Sequence, residues 1–165
     1  ETLKEGYVIL ENGYRIGVCG RAGFNIQCLN DSVAMITCLA NDFCYEEIYE
    51  IENLEEKYGL PYGRLYLAYF DGTLAGCIGL RKIDKDNCEL KRLYVKPQFR
   101  GKKIASFLVK SIIAEAKEIG YKYILLDTLP FLETAINMYK KYGFYEIESY
   151  NNSPMENLVY LKYDL

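Results

Sequence analysis

CELKRLYVKPQFRGKKIA, residues 88–105, is the stretch that decides the fold of this chain. It has the pattern of a strand that runs through Pro97 into a basic Arg-Gly turn, and the turn opens a long amphipathic helix. A strand, a glycine turn and a helix start in this order predict a binding site for a polyanion.

The physical reason lies at the helix start. The first backbone N–H groups of a helix have no intrahelical partner, and the macrodipole places a partial positive charge there. Arg100, Lys102 and Lys103 add three cations, and Gly101 lacks a Cβ that would hold a ligand away from the backbone. The alternative is an ordinary solvated helix start. Basic residues are normally favoured at the C-terminal end of a helix, so three of them at the start are unfavourable unless an anion binds there.

Length and composition predict one soluble domain, because 165 residues suffice for a normal core. A formal net charge of -3 and a pI near 5.2 argue against non-specific binding of nucleic acid or of an anionic membrane. No apolar run approaches the roughly 18 residues of a membrane span. The first residues also lack the pattern of a secretion signal, so we expect a cytoplasmic location.

Cysteine and histidine usage narrows the chemistry. The chain has no histidine and no CxxC pair, so we expect no metal site and no Ser-His or Cys-His mechanism. Proton transfer must then fall to Glu, Asp, Tyr, Lys, Cys or water. We expect free, mostly buried thiols rather than a disulfide framework for the six cysteines: Cys19, Cys28, Cys38, Cys44, Cys77 and Cys88.

Periodicity and turn residues predict an α/β fold with a mixed sheet. An Asn12-Gly13 turn predicts a hairpin over residues 7–19. The further predicted strands are Phe24–Leu29, Arg64–Phe70, Thr73–Arg81, Cys88–Val95, Tyr121–Leu126, Phe144–Tyr150 and Leu158–Leu165. The predicted helices run from about 32 to Ala40, through Ile48 to Tyr58, from Ile104 to Ile119, and from about Leu132 to Tyr142.

This order of elements resembles the GNAT superfamily of acyl-CoA-dependent N-acetyltransferases. One motif, Arg/Gln-x-x-Gly-x-Gly/Ala, falls on RGKKIA, residues 100–105, and a second falls on AINMYKKYGF, residues 135–144. The resemblance covers residues 24–165 and implies a mixed, mostly antiparallel twisted sheet flanked by helices. It leaves residues 1–23 as a hairpin extension. The stretches PYGRLYLAY, GCIGLR, ELKRLYV and LDTLP look like one bacterial subgroup.

The resemblance implies acetyl-CoA as cosubstrate and places it on the basic turn. The backbone of Leu93 and Val95 would pair with the pantetheine arm. The pyrophosphate would lie on the first N–H groups of the helix, with Asn137 as a further partner for the CoA arm. The residues so implied are Arg100, Gly101, Lys102, Lys103, Ile104 and Ala105. Lys103 departs from the family, which usually has a glycine there; because a helix start accepts a Cβ and the charge favours phosphate, we expect binding to persist.

The resemblance also implies catalytic roles. Tyr139 would be the acid that protonates the CoA sulfur, since a tyrosine with a pKa of about 10 keeps its proton at neutral pH; the alternative is a packed core tyrosine. Glu89 would be a base acting through water, or equally a cross-strand partner of a Lys or Arg. Asp127 would orient a cationic amine or cap a turn.

We therefore expect an N-acetyltransferase that moves an acetyl group from acetyl-CoA directly to a primary amine of a small molecule. No cysteine lies in either motif, which disfavours an acyl-enzyme. The alternatives are a protein N-terminal or lysine acetyltransferase and a non-catalytic CoA-binding module. Exposed strands of this fold often pair between subunits, which leaves a homodimer as a possibility.

Overall fold

The computed structural model of the chain describes residues 7–9, 15–18 and 24–28, and residues 54–165 apart from 154. We number the elements among these residues in chain order. The strands are β1 (Tyr7–Ile9), β2 (Arg15–Val18), β3 (Phe24–Cys28), β4 (Arg64–Phe70), β5 (Thr73–Lys82), β6 (Asn87–Val95), β7 (Tyr123–Thr128), β8 (Tyr145–Ile147) and β9 (Val159–Asp164). The helices are α1 (Leu54–Tyr58), α2 (Ile104–Ile119) and α3 (Glu133–Lys141). The helix predicted over about 32–40 lies outside the described residues.

The described strands form one sheet of nine, in the order β1-β2-β3-β4-β5-β6-β7-β9-β8. Among these strands, β6 and β7 run parallel, and every other neighbouring pair is antiparallel. The prediction of a mixed, mostly antiparallel sheet flanked by helices is confirmed. The division into an extension (1–23) and a domain (24–165) stays a prediction.

Helix α2 packs its apolar face on the middle of the sheet, as its pattern predicted. Leu108, Val109 and Ile112 have no exposed surface. They join one core cluster with strand residues from β5, β6, β7 and β9, which include Ile78, Leu80, Leu90, Ile124, Leu126 and Leu161. Truncation of such a leucine to alanine typically costs about 2–5 kcal/mol, so this contact fixes the helix start relative to the strands.

The way in which α2 ends explains why β7 begins two residues later than predicted. Gly120 adopts a φ of 96° and ends the helix, and the Tyr121 N–H donates to the Ala116 carbonyl at 3.1 Å. The Tyr121 hydroxyl donates to the Tyr62 carbonyl at 2.8 Å. Tyr121 therefore belongs to the C-terminal end of the helix and not to the strand. As a result β7 covers Tyr123–Thr128 rather than the predicted Tyr121–Leu126.

Three other features bear on the predictions. None of the helices that the structure describes combines the length and the apolar composition that a bilayer crossing requires. Within the described residues, no group of His, Cys, Asp and Glu side chains is arranged to hold a metal ion. Cys77 and Cys88 are buried free thiols, as predicted for them; Cys19, Cys38 and Cys44 lie outside the described residues.

Candidate active site

The sheet opens between its two parallel strands. The ladder between β6 and β7 contains three pairs and ends at Glu89 opposite Leu125. Beyond that pair β6 continues to Val95 and β7 to Thr128 without pairing to each other. The backbones of Leu93 and Val95 therefore lie outside this ladder, along the mouth of the opening between β6 and β7.

A bulge in β6 adjoins this opening. Cys77 pairs with Tyr94 and Gly79 pairs with Lys91, so two residues of β6 face Ile78 alone. One of the two, Arg92, adopts a φ of 58°, which is unusual for a residue with a side chain. The buried Cys77 thiol donates to the Arg92 carbonyl at 3.2 Å. Burial raises the pKa of Cys77 to about 12, so the thiol keeps the proton that it donates.

The basic turn leads from the opening into α2. A 3-10 turn (Pro97–Phe99) is followed by Gly101, whose φ is 78°, and a Cβ built on Gly101 would meet no atom within 4 Å. The first intrahelical bond runs from the Phe107 N–H to the Lys103 carbonyl at 3.0 Å. The N–H groups ahead of it, from Ile104 to Ser106, receive no side-chain cap, and the first turn of α2 has no acidic residue. These features suit an anion at the helix start.

Lys103 adopts an unfavourable backbone conformation that its sequence position did not predict. It is the N-cap of α2 in the left-handed region, with φ 62° and ψ 17°. The expectation that a helix start accepts a Cβ here was incomplete, because this N-cap conformation disfavours a side chain by about 1–2 kcal/mol. The family's usual glycine at this position is therefore explained by the left-handed backbone.

The basic side chains of the turn lie at the surface. Lys103 and Arg100 are exposed, and the Arg100 Nε donates to the Val95 carbonyl at 3.3 Å. The Lys102 ammonium lies 4.5 Å from the Phe70 ring centroid.

A cluster of charged and hydrogen-bonding side chains lies at the inner end of the opening; we call it the Glu89–Asp127 cluster. Its members are Arg81, Glu89, Lys91, Asp127, Tyr150 and Asn151. Glu89 is 1% exposed and accepts from the Arg81 Nε at 2.5 Å and from the Tyr150 hydroxyl at 2.6 Å. The Lys91 Nζ lies 3.3 Å from Glu89 Oε1 and 2.6 Å from Asp127 Oδ1. The Asn151 amide donates to Asp127 Oδ2 at 2.9 Å.

The contacts shift the pKa values of three members of this cluster, Asp127, Tyr150 and Arg81. Burial alone would raise the pKa of Asp127, but hydrogen bonds from Lys91 and Asn151 outweigh it and lower that pKa below its usual value. Burial, and then the charge of Glu89, raise the pKa of Tyr150 well above the usual value, so its hydroxyl remains a donor. The pKa of Arg81 is raised because the carboxylate of Glu89 outweighs burial. At neutral pH Asp127 is therefore a carboxylate, Arg81 is a cation and Tyr150 is a neutral donor.

The two predicted helix residues lie on α3. Tyr139 is 5% exposed, and its ring centroid lies 5.5 Å from that of Phe144. Burial raises the pKa of Tyr139 above its usual value, so the phenol keeps its proton at neutral pH. Asn137 is exposed on the same helix. Among the described contacts, none joins Tyr139 to Glu89, so the structure does not bring these two predicted catalytic side chains into direct contact.

A family comparison decides the classification. The model of the acetyltransferase (GNAT) family matches residues 35–144, which span both sequence motifs and the opening between β6 and β7. The chain belongs to the GNAT family. It is an acyl-CoA-dependent acetyltransferase, as the resemblance predicted.

Individual relatives agree with this GNAT assignment. An uncharacterised N-acetyltransferase of Schizosaccharomyces pombe is 39% identical over 118 residues, which cover 70% of this chain and 72% of that protein. An IAA acetyltransferase of Azospirillum brasilense is 37% identical over 83 residues, or 49% of this chain and 54% of that protein.

Solved structures share the GNAT fold. An acetyltransferase of Streptococcus agalactiae superimposes with a TM-score of 0.76 at 21% identity, over 88% of this chain and 100% of that one. A GNAT acetyltransferase of Elizabethkingia anophelis with acetyl-CoA bound superimposes with a TM-score of 0.61 at 22% identity, over 88% of this chain and 100% of that one. The predicted GNAT-like fold class is therefore confirmed.

Sequence reasoning missed four members of the Glu89–Asp127 cluster in this GNAT chain. Arg81 and Lys91 were anticipated only as an unnamed cation opposite Glu89, and the observed pairing of Arg81 with Glu89 in the β5 and β6 ladder matches that alternative. Tyr150 was predicted to end a strand, and Asn151 fell between two predicted strands. β8 instead ends at Ile147, and both residues turn toward the carboxylates of β6 and β7.

Proposed function

We propose that this GNAT enzyme transfers an acetyl group from acetyl-CoA directly to the primary amine of a small molecule. The observation that carries the proposal is the separation of β6 from β7 beyond Glu89, directly ahead of a basic helix start without a cap. An extended thiol arm can pair with an open strand backbone, and a pyrophosphate suits the N–H groups of a helix start.

In this arrangement the chain would hold acetyl-CoA along one continuous path. The backbones of Leu93 and Val95 would pair with the pantetheine arm in place of β7. The N–H groups of Gly101, Lys103, Ile104 and Ala105 would take the pyrophosphate. Arg100 and Lys102 are exposed and supply positive charge beside it, and exposed Asn137 would contact the CoA arm from α3.

The transfer balances with one proton released. The acceptor ammonium first loses a proton, and the neutral nitrogen uses its lone pair to form a C–N bond with the thioester carbon. The resulting tetrahedral intermediate breaks its C–S bond, the sulfur takes a proton from Tyr139, and the nitrogen loses its second proton through water to restore the phenol. The products are the amide, CoA thiol and one proton.

Tyr139 and Glu89 divide the proton transfers in this proposal. Because burial raises the pKa of Tyr139, it is protonated when the thiolate leaves, as an acid must be. Glu89 would act on the first proton through water, since Arg81, Lys91 and Tyr150 already contact its oxygens. Asp127 shares Lys91 with Glu89 and would help to set the electrostatic potential around the amine.

A small acceptor is favoured over a protein by two observations. The Tyr150–Asn151 segment lies over the carboxylates of Glu89 and Asp127, which narrows the approach to them. The relative from Azospirillum brasilense is named for IAA, a small molecule. Release of CoA thiol from acetyl-CoA in the presence of a panel of small primary amines tests this assignment.

Substitution of Tyr139 by phenylalanine separates catalysis from binding. Loss of a general acid typically costs about 10²–10⁴-fold in rate. We expect a kcat loss of this size in Tyr139→Phe with unchanged acetyl-CoA affinity, and no loss in the neighbouring control Tyr142→Phe. Equal rates for wild type and Tyr139→Phe would remove Tyr139 from the mechanism. Acetyl-CoA binding with turnover on peptides alone would move the assignment to a protein acceptor.

A further inference from the structure

We infer that the acceptor amine carries a carboxylate, which Lys91 and Arg81 bind at the Glu89–Asp127 cluster, so that the substrate is a small amino acid. This inference rests on the proposed function, because it concerns the acceptor side of the same opening. It is carried by the position of the cluster, by the pairing of its two carboxylates and by the exposure of its two cations.

The position of the cluster is the first step. Glu89 is the last β6 residue in the ladder with β7, and Lys91 lies two residues further toward the opening. Lys91 bonds to Asp127, which stands two residues beyond the last ladder partner on β7. A side-chain ion pair thus continues the connection between the strands where the backbone pairing ends. The cluster lies at the inner end of the space where the acyl group is proposed to sit.

The second step is that neither carboxylate is available to a further cation. Glu89 accepts from Arg81 and Tyr150 and forms an ion pair with Lys91 at 3.3 Å, and its side chain is only 2% exposed. Asp127 has two donors, and its side chain is 13% exposed. A polycationic acceptor would have to bury an additional charge without an unpaired carboxylate to receive it, which is unfavourable. The cluster therefore does not favour a polyamine.

The third step is that the cations of the cluster are partly exposed to solvent. The Arg81 side chain is 30% exposed and the Lys91 side chain is 23% exposed, both well above their carboxylate partners. An ammonium group has three N–H donors; among the described contacts Lys91 donates one to Asp127 Oδ1 and lies 3.3 Å from Glu89 Oε1. The formal charges of the two pairs cancel, so the difference in exposure decides which further charge the cluster receives: an incoming carboxylate can approach the more exposed Lys91 and Arg81 and accept from Lys91.

The fourth step limits the size of the acceptor. The Tyr150 ring stands edge-on to Tyr160, with centroids 5.5 Å apart and an interplanar angle of 82°, and its hydroxyl is bound to Glu89. The next residue, Asn151, is bound to Asp127. The segment that carries both residues is held against the cluster at two points. A compact acceptor, in which the amine and the carboxylate are separated by one or two carbons, meets this restriction.

The test compares each acid with its own amide. Wild-type enzyme and acetyl-CoA are assayed with the common α-amino acids, with β-alanine, and with the corresponding carboxamides, which keep the amine and lose the negative charge. We expect the best acceptor to be an acid whose amide has a kcat/KM at least 30-fold lower, chiefly through KM. An amide or a plain alkylamine that matches the best acid would overturn the inference and leave the proposed function intact.

Substitution of Lys91 supplies the second readout. In Lys91→Gln the ratio of kcat/KM for the acid over its amide should fall at least tenfold, whereas the exposed α2 control Lys117→Gln should keep the wild-type ratio. Arg81→Gln serves the same purpose if Lys91→Gln does not fold. A ratio that both cluster variants leave unchanged would overturn the inference.

The failures of the two proposals are distinguishable. Absence of any acetyl-CoA binding would refute the proposed function itself. Acetyl-CoA binding with no turnover on any acid or amine in the panel would overturn both the small primary amine of the proposed function and this inference, whereas turnover on plain amines alone would overturn only the inference.

Discussion

Lys91 and Asp127 meet across the point at which β6 and β7 separate, with the Lys91 Nζ 2.6 Å from Asp127 Oδ1. The parallel ladder stops two residues before each of them, at Glu89 opposite Leu125. This ion pair therefore marks the inner end of the opening, and the cluster around it lies where the acceptor amine would meet the thioester. The predictions below follow from this cluster, from the basic turn and from the buried thiols.

Replacement of Asp127 by asparagine should reduce stability in a pH-dependent way. The pKa of Asp127 is lowered in the folded state, so its ionised form stabilises the fold above the unfolded-state pKa of about 3.9, and the contribution is lost as the pH falls through the folded-state pKa. The difference in urea midpoint between wild type and Asp127→Asn should be largest near neutral pH and vanish in strong acid. A difference that is constant across this range would contradict the assigned pairing.

Removal of the Tyr150 hydroxyl should take one hydrogen bond from Glu89 without creating a cavity in the core. Its hydrogen bond to a buried carboxylate is of the kind that contributes about 1.5–3 kcal/mol. Tyr150→Phe should therefore lower the free energy of unfolding by about that amount and reduce kcat. The matched control is Tyr145→Phe, because the exposed Tyr145 hydroxyl donates to Asp164 at 3.0 Å and should contribute little. Equal losses in the two variants would argue against a special role for Tyr150.

Replacement of Lys103 by glycine should raise stability. Lys103 adopts a φ of 62° as the N-cap of α2, where glycine avoids a cost of about 1–2 kcal/mol but loses about 0.5–1 kcal/mol through its freer unfolded chain. We expect a net gain of up to about 1.5 kcal/mol by denaturant unfolding. Lys102→Gly, at a residue without a positive φ, should destabilise. A loss of stability in Lys103→Gly would contradict the left-handed assignment.

Cys77 and Cys88 should resist alkylation in the folded protein. Burial raises the pKa of each thiol to about 12, so at pH 8 neither is the reactive thiolate. Peptide mass spectrometry after brief iodoacetamide treatment should find both residues unmodified, and both modified when urea is included. Rapid modification of Cys77 without denaturant would show that the thiol does not hold the Arg92 carbonyl at the bulge.

The sequence predicted the parts of this site that depend on local chemistry. The strand, turn and helix over residues 88–105 follow from periodicity and from the Gly101 turn, and they are present as β6, the 3-10 turn and α2. The left-handed Lys103 was not predicted, because no local pattern separates it from an ordinary basic N-cap. Only the glycine that is usual at this position in the family indicated a left-handed backbone.

The Glu89–Asp127 cluster could not be predicted in the same way. It depends on the register that places Arg81 opposite Glu89 and on a loop residue, Tyr150, that lies 61 positions from Glu89 in the chain. An aromatic residue at the end of a β-rich run is also typical of a strand, which is why Tyr150 was assigned to one. Tertiary hydrogen bonds outweigh this local preference and end β8 at Ile147.

The most direct test of the central claim is the thermal unfolding of the wild-type chain with and without millimolar acetyl-CoA. A ligand at roughly 100 times its dissociation constant adds about 2.7 kcal/mol, which is several degrees for a domain of this size. The account predicts such a rise, and a smaller one in a variant that lacks the positive charges of Arg100 and Lys102. An unchanged midpoint at millimolar acetyl-CoA would contradict the assignment of the opening between β6 and β7 as the cosubstrate site.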